Sequence, residues 1–192
     1  MKSDFTAMLD GLVRELQKRN INVDFISSPE EGIEIGELKE GNIVLNKNSR
    51  DELSMIFTIA HLFGHYCQFK NYKKYKHLIE TVEKPVPLKL DDDFKNQFWE
   101  YEREAFGIGK TLMSKAFSIS SDFESKYQIF MITDFEHFWE YITTGKNQGV
   151  EAFNKRLRSN YSKKAPFKST IKSIPIPHST DDGNIETKVT VY

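Results

Sequence analysis

An apolar stripe with helical spacing runs through the middle of the chain and constrains the kind of core that the protein can build. It lies between about Asp93 and Phe117, and its members recur at steps of three and four residues: Phe94, Phe98, Tyr101, Ala105, Ile108 and Leu112. This period is that of an amphipathic α-helix, which must bury its stripe against other elements. We therefore predict a long helix that packs within a single domain.

Further helices and a few short strands are expected around this helix. Helical patterns cover residues 3–20, 49–70, 122–142 and 148–159. A capping box formed by Ser49 and Glu52 marks the start of the second of these. Strand-like segments that follow one another through short turns cover residues 21–26, 33–35 and 43–45. These patterns predict an α+β fold with a small antiparallel sheet, a central helix that bears two histidines, and a helical C-terminal layer.

Composition excludes several classes of protein. The chain has 192 residues, of which 39% are hydrophobic and 29% charged, and a net charge of −1, so bulk electrostatics gives no reason to expect a strongly polyanionic partner. No apolar run approaches the roughly 20 residues that a membrane span needs, and the N-terminus lacks the apolar segment of a secretory leader. The lone cysteine, Cys67, excludes an internal disulfide network and a Cys-rich zinc ribbon. We expect a cytoplasmic protein without membrane contact.

The end of the chain differs from the rest in charge and pattern. Residues 152–180 contain seven Lys and Arg and no Asp or Glu, and residues 162–192 lack helical periodicity. We predict a domain over residues 1–160 and an extended, flexible tail over residues 161–192. The basic segment 155–172, with Lys163 and Lys164, offers a contact for nucleic acid or an acidic partner, although a solvated helix end is the simpler interpretation.

Two histidines, His61 and His65, form the clearest candidate site. Four residues advance about 400° along a helix, so both imidazoles project from one face and can bind a single metal ion when they are neutral. They lie away from apolar positions such as Phe57 and Phe63, which predicts a polar face that lines a cleft. Histidine pairs of this kind are also common at surfaces and in packed interiors, so the spacing alone does not decide between these interpretations.

The sequence around the pair resembles the ImmA/IrrE family of zinc metallopeptidases. That family has a short strand ending in Leu-Asn, an Ala-His-Glu-x-Gly-His helix, and a Glu-x-Glu-Ala segment before a Leu-Met pair. The corresponding segments here, within roughly residues 40–115, are Leu45-Asn46, Ala60-His61-Leu62-Phe63-Gly64-His65, Glu102-Arg103-Glu104-Ala105 and Leu112-Met113. The resemblance implies a zincin-like domain.

The resemblance also implies a set of zinc ligands. His61 and His65 would bind the metal, and a Glu on the helix predicted over residues 93–117 would complete the site. We choose Glu104 because it aligns with the Glu that precedes the Ala, with Glu100 and Glu102 as alternates. Two histidines, one carboxylate and a water are the arrangement of a catalytic zinc site.

Leu62 stands where the family has its catalytic Glu. In such enzymes this carboxylate takes a proton from the attacking water and passes it to the leaving amine. Leucine can do neither, and the loss of such a group typically removes about 10²–10⁴-fold in rate. We also expect the leucine to occupy the space where the water would be held.

Several functions stay open at this point. The resemblance favours a degenerate zinc metallopeptidase homologue, a pseudo-enzyme that binds or regulates a repressor-like protein or a peptide in a bacterium or mobile element. The main alternative is an active zinc peptidase or hydrolase with a displaced base, for which Glu100 and Glu102 are the nearest candidates. Two further alternatives are a nucleic-acid-associated regulator that uses residues 155–172 and a metal-free structural remnant. A buried Leu62 and histidines bonded to protein groups would support the remnant.

Two other residues with chemical potential are expected to be structural. Cys67 points nearly opposite to His65 on the helix and is predicted to be a core thiol. His137 lies within an aromatic cluster and is predicted to be a packed, hydrogen-bonded histidine.

Overall fold

The computed structural model describes residues 4–27, 36–39, 42–46, 51–163, 171–177 and 189–191. The helices in this part of the chain are α1 (Asp4–Gln17), α2 (Glu52–Phe69), α3 (Tyr72–Val82), α4 (Asp92–Ala116), α5 (Ser121–Thr144) and α6 (Gly149–Lys163). The strands are β1 (Asn22–Ile26), β2 (Gly36–Lys39), β3 (Asn42–Asn46) and β4 (Val189–Val191). This content agrees with the α+β prediction.

The four strands form one mixed sheet in the order β1–β3–β2–β4. Strands β1 and β3 run parallel, with Val23 opposite Ile43, whereas β2 is antiparallel to β3 and to β4. The prediction of a small antiparallel sheet is therefore wrong for the β1–β3 pair. Ile43 and Leu45 are almost fully buried while β1 is largely exposed, so the most apolar strand takes an inner position and separates β1 from β2. The predicted strand at 33–35 lies outside the described residues.

Helices α2 and α4 form the centre of the molecule, and their backbones cross at glycines. A Cβ added at Gly64 would lie 2.1 Å from the carbonyl oxygen of Ala105, and one at Gly109 would lie 2.5 Å from that of Ala60. Only glycine permits so close an approach at these points. The crossing holds α2 and α4 together face to face, and the candidate site lies beside it.

Substitution of Gly64 by alanine tests this crossing. We expect Gly64→Ala to lower the free energy of unfolding by about 3 kcal/mol or more, because the new methyl group meets a backbone carbonyl that cannot rotate away. Urea unfolding followed by circular dichroism measures the loss. A loss below about 1 kcal/mol would contradict the close approach of the two helices.

Helix α2 is buried on nearly every side. The predicted polar face does not meet solvent, since Ser54 and Thr58 are fully buried together with the apolar residues. A helix of this kind belongs in the interior of a domain. Its N-cap is Asp51, whose side chain accepts the backbone N–H of Ser54 at 2.9 Å; Ser49, the predicted cap, lies outside the described residues.

Helix α3 was not among the predicted elements, although Tyr75, Leu78 and Ile79 give it a short buried face. Only two residues separate α3 from α2, so the sequence gives little sign of where α2 ends and α3 begins. The segment between α3 and α4 is non-helical and contains Pro85 and Pro87. Among the described helices, none is long and apolar enough to cross a membrane.

Two described parts of the predicted tail contact the domain. The backbone N–H of Ile174 donates to the carbonyl of Gly107 at 3.1 Å, and the hydroxyl of Thr111 donates to the carbonyl of Ile174 at 2.7 Å. Residues 171–177 therefore run along α4 in extended form. Further on, β4 pairs with β2, with Val189 opposite Leu38.

Candidate metal centre

Helices α2 and α4 bring His61, His65 and Glu102 together. Glu102 Oε2 lies 2.9 Å from His61 Nε2 and 3.5 Å from His65 Nε2. One donor atom from each of the three residues lies within 4.8 Å of the others, and the residues are only 2%, 4% and 7% exposed, respectively. Two imidazole nitrogens and a carboxylate thus face a common point from which most water is excluded, an arrangement that could hold a metal ion.

The orientation of His65 is set by Gln68, one turn further along α2. The side-chain amide of Gln68 donates to the carbonyl of Tyr101 at 2.7 Å, which leaves its Oε1 atom as an acceptor 2.9 Å from His65 Nδ1. In the neutral imidazole Nδ1 therefore carries the proton and Nε2 the lone pair. This lone pair points towards the shared centre, as in histidines that bind metals.

His61 has a carboxylate on its outer side. Asp134, on α5, places Oδ2 3.3 Å from His61 Nδ1, an ion-pair contact without the alignment of a hydrogen bond. Both histidines thus present Nε2 to Glu102, and Nδ1 faces a hydrogen-bonded amide oxygen in His65 and a nearby carboxylate in His61. Outer acceptors of this kind fix the tautomer and the ring orientation of metal-binding histidines.

The electrostatics of the cluster favour a positive charge at its centre. Burial opposes the charged form of His61, but the carboxylates of Asp134 and Glu102 outweigh it and raise the pKa of this imidazole from 6.5 to about 9. Burial likewise opposes ionisation of Glu102, but the electrostatic effect of the neighbouring His65 imidazole and the hydrogen bond from His61 outweigh it and lower the pKa of Glu102 to about 2. The two buried carboxylates therefore attract positive charge to this point, either a proton on His61 or a metal cation that displaces that proton.

A cavity of about 620 Å³ opens beside the cluster. His61, His65, Glu102 and Asp134 line one part of it, and most of the remaining wall consists of aromatic and aliphatic side chains from α2, α3, α4 and α5. The loop after α3 contributes residues 83–86. A concave, mostly apolar space with a few converging polar groups is the usual form of a ligand site.

Glu104, the predicted third ligand, lies elsewhere. Its carboxylate accepts the hydroxyl of Tyr75 and the ammonium of Lys74, the latter at 2.9 Å, so it ties α4 to α3. The choice of Glu104 is therefore corrected to Glu102, one of the two alternates. Two residues along a helix rotate a side chain by about 200°, and only Glu102 is on the side that meets α2. The other alternate, Glu100, is exposed and pairs with Arg103 at 2.6 Å.

Leu62 is fully buried in the core. The residues that line the cavity, all within the described part of the chain, do not include it. The expectation that this leucine takes the place of an attacking water is therefore wrong. Its side chain turns away because consecutive residues on a helix point about 100° apart.

The other residues singled out in the sequence, Cys67, His137 and the basic segment, lie outside the cluster. Cys67 and His137 are buried as predicted: burial raises the pKa of the Cys67 thiol to about 12, and the His137 ring meets Phe153 edge to face at 5.5 Å. In the basic segment, Arg156 pairs with Glu140 at 2.6 Å. The side chain of Lys163 and all of Lys164 lie outside the described residues.

Asp134 is the site residue that sequence reasoning missed. It lies in the aromatic-rich helix α5, four residues from Phe130 on one side and four from Phe138 on the other, so it shares their face. A carboxylate on a buried aromatic face is unusual unless it has a charged or polar partner. That pattern is the signal that identifies Asp134 as a candidate.

No family model, curated protein or solved structure matches this chain. The resemblance to the ImmA/IrrE family therefore rests on the motifs in the sequence alone.

Proposed function

We propose that the protein is a zinc-binding, zincin-like pseudo-peptidase that acts by binding a peptide or a regulatory protein. The observation that supports this proposal is the convergence of His61, His65 and Glu102 on one buried point, with Gln68 hydrogen-bonded to His65 Nδ1 and the Asp134 carboxylate near His61 Nδ1. The motif resemblance to ImmA/IrrE metallopeptidases supports the same assignment. A partner of the repressor-like class follows from the resemblance only.

The donor set fits zinc better than a hard cation. Zinc is commonly bound by two histidines and one carboxylate with a fourth position open, whereas calcium and magnesium prefer oxygen ligands throughout. Cys67 lies two positions, or about 200°, further round α2 than His65 and is not part of the cluster. When bound, zinc supplies Lewis acidity at the open position.

The placement of the carboxylates favours binding over efficient hydrolysis. Glu102 is used as a ligand, Asp134 holds His61, and Leu62 supplies no proton acceptor. An active hydrolase with a displaced base remains the alternative. Among the described residues that line the cavity, Glu83 is the carboxylate that contacts neither histidine and would have to take that role.

A metal-free remnant is compatible with many of the same contacts, but it predicts that the protein takes up no metal. The burial of Leu62 and the contacts of both histidines with protein groups agree with a remnant as well as with a metal site. A remnant needs no lone pairs directed at a shared point, however, and a metal site does. Metal uptake therefore separates the two.

Zinc content of the purified protein and two histidine variants tests the proposal. We expect about one zinc per chain in the wild type and in His77→Ala, and a loss of zinc in His65→Ala. His77 is the matched control because it is an exposed histidine on α3 that contacts Gln97 and does not line the cavity. Elemental analysis after zinc loading and desalting measures the content. A wild type without zinc, or equal zinc in all three proteins, would contradict the proposal.

A further inference from the structure

The apolar wall of the cavity begins at the candidate ligands. The rings of His65 and Tyr101 are 5.1 Å apart, those of Tyr101 and Phe98 5.7 Å, and those of Phe98 and Phe138 5.6 Å. Tyr141 continues the series at 6.4 Å from Phe138. All five rings line the cavity, so a continuous aromatic strip leads away from the histidines.

The two parts of the cavity differ in chemistry. At one part, His61, His65 and Glu102 would leave a bound metal with an open position, which carboxylates and related anions can fill. Along the strip the cavity is bounded by aromatic rings, which favour flat or linear apolar groups. A volume of about 620 Å³ lies within the range of sites that enclose a small organic molecule.

We propose that this cavity binds an apolar carboxylic acid, with its carboxylate on the metal and its aryl or alkyl chain along Tyr101, Phe98 and Phe138. This inference rests on the proposed zinc site and specifies the ligand class. A free arylalkanoic acid and the C-terminal residue of a peptide both carry this chemistry. In either case the apolar chain is recognised by burial, and the head group by coordination.

The length of the ligand's alkyl chain gives a quantitative test of the proposal. The probes are acetohydroxamate and phenylalkyl hydroxamates with one to four methylene groups, titrated calorimetrically into the zinc-loaded full chain. We expect the affinity to rise about fourfold per added methylene until the cavity is filled, which corresponds to about 0.8 kcal/mol per buried CH₂ group. Binding of 4-phenylbutanoate and of N-acetylglycyl-phenylalanine then distinguishes a free acid from a peptide end.

Two variants of helix α5 distinguish a loss of ligand binding at the aromatic strip from the general effect of removing a packed phenylalanine ring. Phe138→Ala shortens the strip, and we expect it to weaken the phenylbutyl probe about tenfold while it leaves acetohydroxamate unchanged. Phe123→Ala is the matched control, since Phe123 packs against Phe57 and Phe117 and does not line the cavity. We expect this control to leave both probes unchanged.

The possible failures are distinguishable because zinc content is measured on the same samples. Zinc-loaded protein that binds all the probes with equal affinity would overturn the inference and leave the zinc site intact. A Phe138→Ala variant with an undiminished chain-length dependence would do the same. Protein that takes up no zinc would overturn the proposed function, and the ligand assignment with it.

Discussion

Leu62→Glu is expected to lower the free energy of unfolding by about 3–5 kcal/mol and to yield no peptidase activity. The family resemblance alone would suggest the opposite, since this substitution restores the Ala-His-Glu-x-Gly-His pattern. In the structure, however, residue 62 is fully buried in the core and does not line the cavity. The new carboxylate would be a buried charge without a counter-charge, which is among the costliest single changes to a protein.

Urea unfolding and a peptide-hydrolysis assay with added zinc measure the two parts of this prediction. Leu62→Met is the control, because it keeps the volume and apolar character of the side chain and should cost less than about 1.5 kcal/mol. A stable Leu62→Glu variant that hydrolyses peptides in a zinc-dependent manner would place residue 62 at the site and show that the other catalytic groups are intact.

Glu102→Gln and Glu104→Gln are expected to differ sharply in zinc affinity. The substitution at Glu102 removes the anionic ligand between the two histidines, and we expect the affinity to fall by more than about 100-fold, since even outer partners of metal ligands contribute 10–100-fold. The substitution at Glu104 loosens the contact between α4 and α3 and should leave zinc affinity nearly unchanged. Competition with a chromogenic chelator measures both affinities.

This pair is well matched, because the two residues have the same chemistry and lie two positions apart on one helix. Equal affinities would show that Glu102 is not a ligand. A loss confined to Glu104→Gln would restore the choice that the sequence motif favours and would contradict the rotation of α4 in the structure.

The local part of the site could be predicted from sequence, and the non-local part could not. The position of His61 above His65 depends only on helix geometry, so their spacing determines it. The choice between Glu102 and Glu104 depends on how α4 is rotated against α2. That rotation follows from the close contacts at Gly64 and Gly109, which no periodicity indicates.

The same distinction holds for the rest of the fold. The long helices α4 and α5 agree with their predicted spans to within about two residues at each end. The parallel pairing of β1 with β3 was missed because it joins strands that are separated in the chain by a third. Asp134 reaches His61 across the interface between α5 and α2, a contact that only the tertiary structure creates.

Zinc-edge X-ray absorption on the zinc-loaded full chain tests the central claim most directly, because it reports the ligand atoms themselves. We predict two imidazole nitrogens at about 2.0–2.1 Å, one or two oxygens at about 2.0–2.2 Å, and no sulfur. Loss of one imidazole in His65→Ala, with an unchanged spectrum in His77→Ala, would assign the site to α2. A spectrum with a sulfur ligand, with oxygens alone, or with no dependence on His65 would contradict the account.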